Sequence, residues 1–166
     1  QPVGPRIKLS ENESKVKSYD VTGAGAADAD GYRALTGTGT TLALVVTNTL
    51  FAPGTITVTK QVTGDFTLAS DQLEDAVFTV AYSSAAGSGT LELKSAAWKA
   101  TSLPLPYGTV VTLSEPTITG ADPSVAFATP TWSAGDNGDG TATVTVGDGT
   151  DTALTLTNPS TLLTGT

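Results

Sequence analysis

Alternation at every second residue is the feature that most limits what this chain can fold into. Side chains of an extended strand point to opposite faces in turn, so Ile56, Val58, Lys60 and Val62 share one face and Thr55, Thr57, Thr59 and Gln61 the other. Runs of this kind, rich in Thr, Val, Ile and Leu, recur at residues 55–62, 76–82, 90–94, 109–115, 124–128, 141–146 and 153–158. Between them lie SSAAGSG, LPLPYG, TGADP and AGDNGDG, which carry the Gly, Pro, Asn and Asp that tight turns require. About seven short strands in roughly a hundred residues predict an all-β fold, an antiparallel immunoglobulin-like β-sandwich. Only residues 69–76 have the character of a short helical turn.

Self-comparison divides the chain. PVGPRIKLSE (residues 2–11) matches PYGTVVTLSE (106–115), and LALVVTN (42–48) matches TALTLTN (152–158), with a small insertion between the motifs. This is a tandem repeat caught out of phase. After Asn48 the chain reads TLFAPGT and enters TITVTK; after Asn158 it reads PSTLLTGT, so Gly165-Thr166 corresponds to Gly54-Thr55. The expected organisation is the C-terminal half of a preceding repeat at 1–50, a linker at 51–53, a complete repeat at 54–160, and a linker with the start of a following repeat at 161–166. A half repeat exposes sheet edges and apolar faces that its missing strands normally cover. Either a complementary chain or fragment completes residues 1–50, or that segment is poorly ordered.

Composition removes many chemistries. The chain of 166 residues has no Cys, Met or His, so disulfides, thiolate metal sites and the commonest general base are all excluded. No cofactor or metal is expected. No apolar run approaches the ~20 residues of a membrane-spanning helix, and the sequence reads as soluble, with any export signal or anchor outside it. Residues 1–53 balance five basic side chains (Arg6, Lys8, Lys15, Lys17, Arg33) against five acids (Glu11, Glu13, Asp20, Asp28, Asp30), so the net charge of −8 belongs to the remainder. That sign argues against nucleic acid or an anionic membrane as partner and is most simply a solubilising surface.

One polar residue on an apolar face stands out, and the repeat contains two more. Lys60 shares a parity with Ile56, Val58 and Val62; Glu115 with Val111 and Leu113; Asn158 with Leu154 and Leu156. Lys94 and Lys99 are out of step with their apolar neighbours. A lone buried ammonium costs several kcal/mol, so it must be paired, snorkel to water or lose its charge. Apolar surroundings that depress the lysine pKa and raise that of the glutamic acid turn the amine into a nucleophile and let the acid polarise the carboxamide. Attack on the Asn158 side-chain carbon then expels ammonia and leaves a Lys–Asn amide.

The order of Lys in TVTK, Glu in LSEP and Asn in LTN resembles the isopeptide-forming B-type repeats of collagen-binding adhesins and pilins of Gram-positive bacteria, and the related stalk repeats of actinobacterial surface proteins. The resemblance implies that Lys60 on the first strand bonds to Asn158 on the last, with Glu115 promoting the reaction. The half repeat retains Glu11, inward with Ile7 and Leu9, and Asn48, inward with Leu42, Leu44 and Val46. Taken singly, each of the three has a plainer explanation: a lysine reaching solvent at a strand end, a carboxylate capping a turn before Pro116, an amide opening a turn before Pro159. Three inward positions, two recurring in the second copy, favour the crosslink.

Two functional classes follow. The first is a non-enzymatic structural stalk of a cell-wall-anchored adhesin or pilus-like protein, extracellular, partnered by neighbouring repeats of its own polypeptide. The second is a repeat that itself binds a host protein or glycan, which an exposed aromatic cluster or deep groove would favour. Weaker signals stay with structure: Asp136-Asn137-Gly138-Asp139-Gly140 lacks the alternation and distal Glu of a calcium loop and reads as a hairpin turn. Trp132 and Phe78 read as core aromatics beside the polar trio.

Overall fold

The structure, a computed structural model, describes residues 6–10, 15–36 and 43–165. The chain divides into two compact units, Gln1–Phe51 and Ala52–Thr166. Among the described residues no helix is long and apolar enough to cross a membrane.

The first unit contains β1 (Arg6–Lys8), β2 (Val16–Thr22), β3 (Ala24–Ala27), β4 (Tyr32–Leu35) and β5 (Val45–Leu50). They form a three-stranded sheet in the order β1-β4-β3 and a β2-β5 pair, all antiparallel.

The second unit is an immunoglobulin-like sandwich. It contains β6 (Thr55–Gly64), β7 (Val77–Ser84), β8 (Gly87–Lys94), β9 (Lys99–Thr101), β10 (Val110–Thr119), β11 (Val125–Phe127), β12 (Thr131–Trp132), β13 (Ala142–Thr145) and β14 (Asp151–Leu162). One sheet runs β13-β10-β7-β8; the other runs β11-β14-β6-β9, with β12 also on β14. The expected alternation fills the space between them: Ile56, Val58, Leu154 and Leu156 from one sheet meet Phe78, Val80, Leu91, Leu93, Val111 and Leu113 from the other. A 3-10 turn at Asp71–Leu73, inside the 69–76 segment, seats Leu73 in the same core.

Pairing is antiparallel within this sandwich except where its first and last strands meet. β6 and β14 run parallel over ten register pairs from Thr55↔Asp151 to Gly64↔Ser160. The last strand also outruns the run expected at 153–158, spanning Asp151–Leu162. Pro159 is tolerated inside it because N–H and C=O of one residue point to the same side; its carbonyl accepts from the Ala128 amide, so the missing donor faces β11 and not β6. At the end of β6, Gly64 has φ +93°, and a Cβ there would stand 2.1 Å from the Ser160 carbonyl oxygen.

β10 carries a bulge that sets the site. Ser114 pairs with Ala81 and Thr117 with Thr79, so Glu115 and Pro116 together oppose Val80. Parity therefore runs inward through Val111, Leu113 and Glu115, then resumes at Ile118 opposite Phe78. Pro116, without an N–H, sits where the ladder is already interrupted.

Candidate crosslink site

Three strands deliver three polar side chains to one point in the core. Lys60 leaves β6 and Asn158 leaves β14 on the same buried face, 3% and 1% exposed. Lys60 is the register partner of Leu156 and Asn158 that of Val62, so the lysine stem leans two positions along its strand to reach the amide. Glu115 descends from the facing sheet at the bulge.

The three groups close a hydrogen-bonded triangle. Lys60 Nζ donates to Glu115 Oε2 at 2.5 Å and to Asn158 Oδ1, and Asn158 Nδ2 donates to Glu115 Oε1 at 2.7 Å. The side chains of Lys60 and Glu115 are 0% and 2% exposed. Phe78 supplies the apolar floor, with Nζ 4.2 Å from its ring centroid. Removal from water pushes the Lys60 ammonium from 10.5 down to about 8, against the opposing pull of the Glu115 carboxylate.

This arrangement has the parts an amide exchange needs. In such an exchange Lys60 would pass a proton to Glu115 across their hydrogen bond and become a neutral amine beside the carboxamide. Its nitrogen lone pair would form a bond to Asn158 Cγ as the carbonyl π pair moved onto Oδ1. A second proton would move from the attacking nitrogen, by way of Glu115, to Nδ2; the C–Nδ2 bond would then break, ammonia leave and the carbonyl re-form. Of three ammonium protons one would stay on the new amide, one leave with ammonia and one remain on Glu115, so atoms and charge balance. The leaving nitrogen is the one Glu115 already holds.

The half-repeat residues fare differently. Glu11 lies outside the described residues. Asn48 is on β5, whose six residues are all exposed, and Val46 beside it is 37% exposed. The expectation that Asn48 points inward with Val46 is not met: β5 pairs with β2 in a two-stranded sheet, and one strand neighbour does not bury a face. Alternation along β5 gave no warning, because it reports parity and not whether a second layer is present.

Two further aromatic residues adjoin the site. Trp98, in the β8–β9 turn, accepts the Lys60 amide on its carbonyl at 2.7 Å, and its ring packs edge-on against Phe78 at 6.0 Å. Phe127 on β11 packs on Phe78 at 5.5 Å. Elsewhere the Asp136–Gly140 segment is a turn: Asp136 accepts from the Trp132 and Gly138 amides, which hold its carboxyl below the usual range, and Asp139 accepts from Thr141.

Solved structures similar to this chain include a pilus-presented adhesin, Spy0125 (Cpa), at 20% identity over 65% of the chain and 27% of that protein, with a TM-score of 0.41. An adhesin from Mobiluncus mulieris containing intramolecular disulfide, isopeptide and ester bond cross-links is 19% identical over 71% of the chain and 44% of its own length, TM-score 0.46. The major pilin T3.2 from Streptococcus pyogenes is 15% identical over 93% of the chain and 65% of its own length, TM-score 0.44. The chain thus spans about a quarter to two thirds of these proteins. No curated protein matches its sequence at a significant level. A family profile covers most of the sandwich, from residue 56 to residue 161, and on that match the chain belongs to the family described as Domain of unknown function (DUF5979).

Proposed function

We propose that residues 54–160 form a structural stalk domain of a bacterial cell-surface adhesin or pilus-like protein, stabilised by a self-formed isopeptide bond between Lys60 and Asn158. The observation that carries this reading is the closed, buried triangle of Lys60, Asn158 and Glu115. Glu115 acts once as proton carrier, and nothing turns over.

Position in the fold supports a mechanical role. The two bonding residues lie on the first and last strands of the sandwich, which run parallel, so the points where tension enters and leaves are at opposite ends of the same strand pair. A bond there carries load along the array. The adhesin and pilin character of the similar solved structures accords with an extracellular setting, with cell-wall anchoring through a region outside this chain.

The partners in this reading are neighbouring repeats. Pairing in the first unit has a counterpart in the second: β1 on β4 parallels β10 on β13, and β2 on β5 parallels the β11 and β12 contacts with β14. This supports residues 1–50 as the C-terminal half of a preceding repeat.

The test is intact mass of the purified chain beside Lys60→Ala, with peptide mapping because an N-terminal Gln1 can also lose ammonia by cyclising. Loss of one ammonia that depends on Lys60, with a joined Lys60–Asn158 peptide, is the expected result. Full mass at that site overturns the crosslink and leaves a sandwich with a buried ion pair.

A further inference from the structure

We infer that Trp98 is a positioning residue for the Lys60–Asn158 reaction, holding the nucleophilic lysine at both of its ends and keeping water off it; this rests on the crosslinking function proposed above. The starting observation is a backbone outlier. Trp98 has φ +52°, in the left-handed region that bulky L-residues rarely adopt, and Ala96 in the same turn has φ +81°. Such positions ordinarily take Gly or Asn, so this tryptophan sits there against the local preference.

Its contacts show what the ring and backbone reach. The Trp98 amide donates to the Lys94 carbonyl at 2.8 Å, and the Trp98 carbonyl accepts the Lys60 amide at 2.7 Å, so the strained residue is fastened on both sides. Its ring meets Phe78 edge-on at an interplanar angle of 66°, with Phe127 against Phe78 at 78°. Phe78 lies beneath Lys60 Nζ. One residue thus grips Lys60 directly at its backbone and, through Phe78, at its amine. A rotated or displaced Phe78 opens the floor of the site to water and lets the amine drift from Asn158.

The groups facing Nζ are Glu115 from β10, Asn158 from β14 and the Phe78 ring from β7. Lys94 points to solvent beside Glu92, and Lys99 is exposed. Water entering past a missing Trp98 ring therefore relieves the desolvation that holds Lys60 below its ordinary range, while the Glu115 attraction stays.

The experiment is refolding of denatured, uncrosslinked chain from inclusion bodies across a pH series, with the rate of ammonia loss read by intact mass. It compares wild type, Trp98→Gly, which suits the left-handed backbone, and Trp98→Phe, which keeps a ring. Circular dichroism checks folding, and Trp98→Asn replaces the glycine variant if that does not refold. The expected result is a rate at least about tenfold lower in Trp98→Gly, a pH midpoint moved upward, and substantial recovery of both in Trp98→Phe. An unchanged rate overturns the inference, and so does a slower rate with an unmoved midpoint, which marks a merely structural loss. If wild type itself keeps its ammonia, the crosslinking function fails and this inference with it; if wild type reacts and Trp98→Gly matches it, only this inference fails.

Discussion

Lys60 and Asn158 stand on neighbouring parallel strands, two register positions apart, with both side chains on the buried face. Adjacent strands put their inward side chains within reach, and these two are the first and last strands of the sandwich. A sequence separation of 98 residues is thereby closed by one side-chain contact.

Closing so long a loop sets the expected cost of losing it. In the chain-entropy account of crosslinks, a loop of about a hundred residues stabilises the fold by on the order of 4–5 kcal/mol. Asn158→Ala is expected to keep the full mass of its lysine-bearing peptide and to unfold at lower denaturant, with a loss of that order. Equilibrium urea unfolding beside the crosslinked parent measures it; equal midpoints contradict the prediction.

In the proposed reaction Glu115, bonded to both Lys60 Nζ and Asn158 Nδ2, takes one proton and delivers another. Glu115→Gln keeps the shape and a hydrogen-bonding oxygen but not the proton-accepting carboxylate. The expected outcome is a folded chain whose mass shows no loss of ammonia attributable to Lys60, even after prolonged incubation. Crosslinking of Glu115→Gln at the wild-type rate would remove Glu115 from the mechanism.

The free lysine also makes stability depend on pH in a stated direction. In Asn158→Ala, Lys60 is not consumed, and the burial that holds it at about 8 in this chain, against 10.5 unfolded, is expected to persist. Between those values the unfolded state binds more protons, so stability rises with pH through the window and levels off above it, by on the order of 2–3 kcal/mol. A parent crosslinked as proposed has no such group. The difference in unfolding free energy between the two chains is therefore expected to narrow from pH 8 to pH 10; a constant difference counts against it.

Much of this site was legible because burial on a strand has a period of two. Lys60, Glu115 and Asn158 could be assigned to inward rows from their neighbours alone, and the order of the motifs supplied the pairing. Parity stops being readable where the ladder is irregular: the Glu115–Pro116 bulge resets the inward row so that Ile118 follows Glu115. β9 and β12, of three and two residues, are too short to show any period. The run expected at 153–158 stopped short of Pro159, and the strand passes through that residue because only its β11 side lacks a donor. Trp98 gave no signal, since a positive φ at a tryptophan follows from the contacts that hold it and not from its residue type.

Gly64 is expected to be intolerant of a side chain. Its φ of +93° and the Ser160 carbonyl 2.1 Å from an added Cβ both oppose Gly64→Ala. Phe66 donates its amide to Ser160 Oγ, which in turn donates to the Thr63 carbonyl, so the end of β6 cannot swing away without losing buried hydrogen bonds. A destabilisation of about 1–3 kcal/mol is expected, measured by thermal unfolding in the uncrosslinked Asn158→Ala background, where the bond does not mask it.

Mechanical extension separates the crosslinked sandwich from an uncrosslinked one most directly. Tension applied at the two ends of the chain reaches the sandwich along β6 from Thr55 and leaves along β14 past Ser160. With Lys60 bonded to Asn158 the force passes from one strand to the other at that bond, and the intervening residues never come under load. Without it, β6 and β14 shear apart and the enclosed segment, 98 residues in separation, extends by roughly 320–350 Å at 3.3–3.6 Å per residue. Single-molecule pulling is therefore expected to show that release in Asn158→Ala and none from the crosslinked parent at forces below covalent rupture. The same release in both chains would mean that no bond bridges the terminal strands, whatever the proximity of the two side chains.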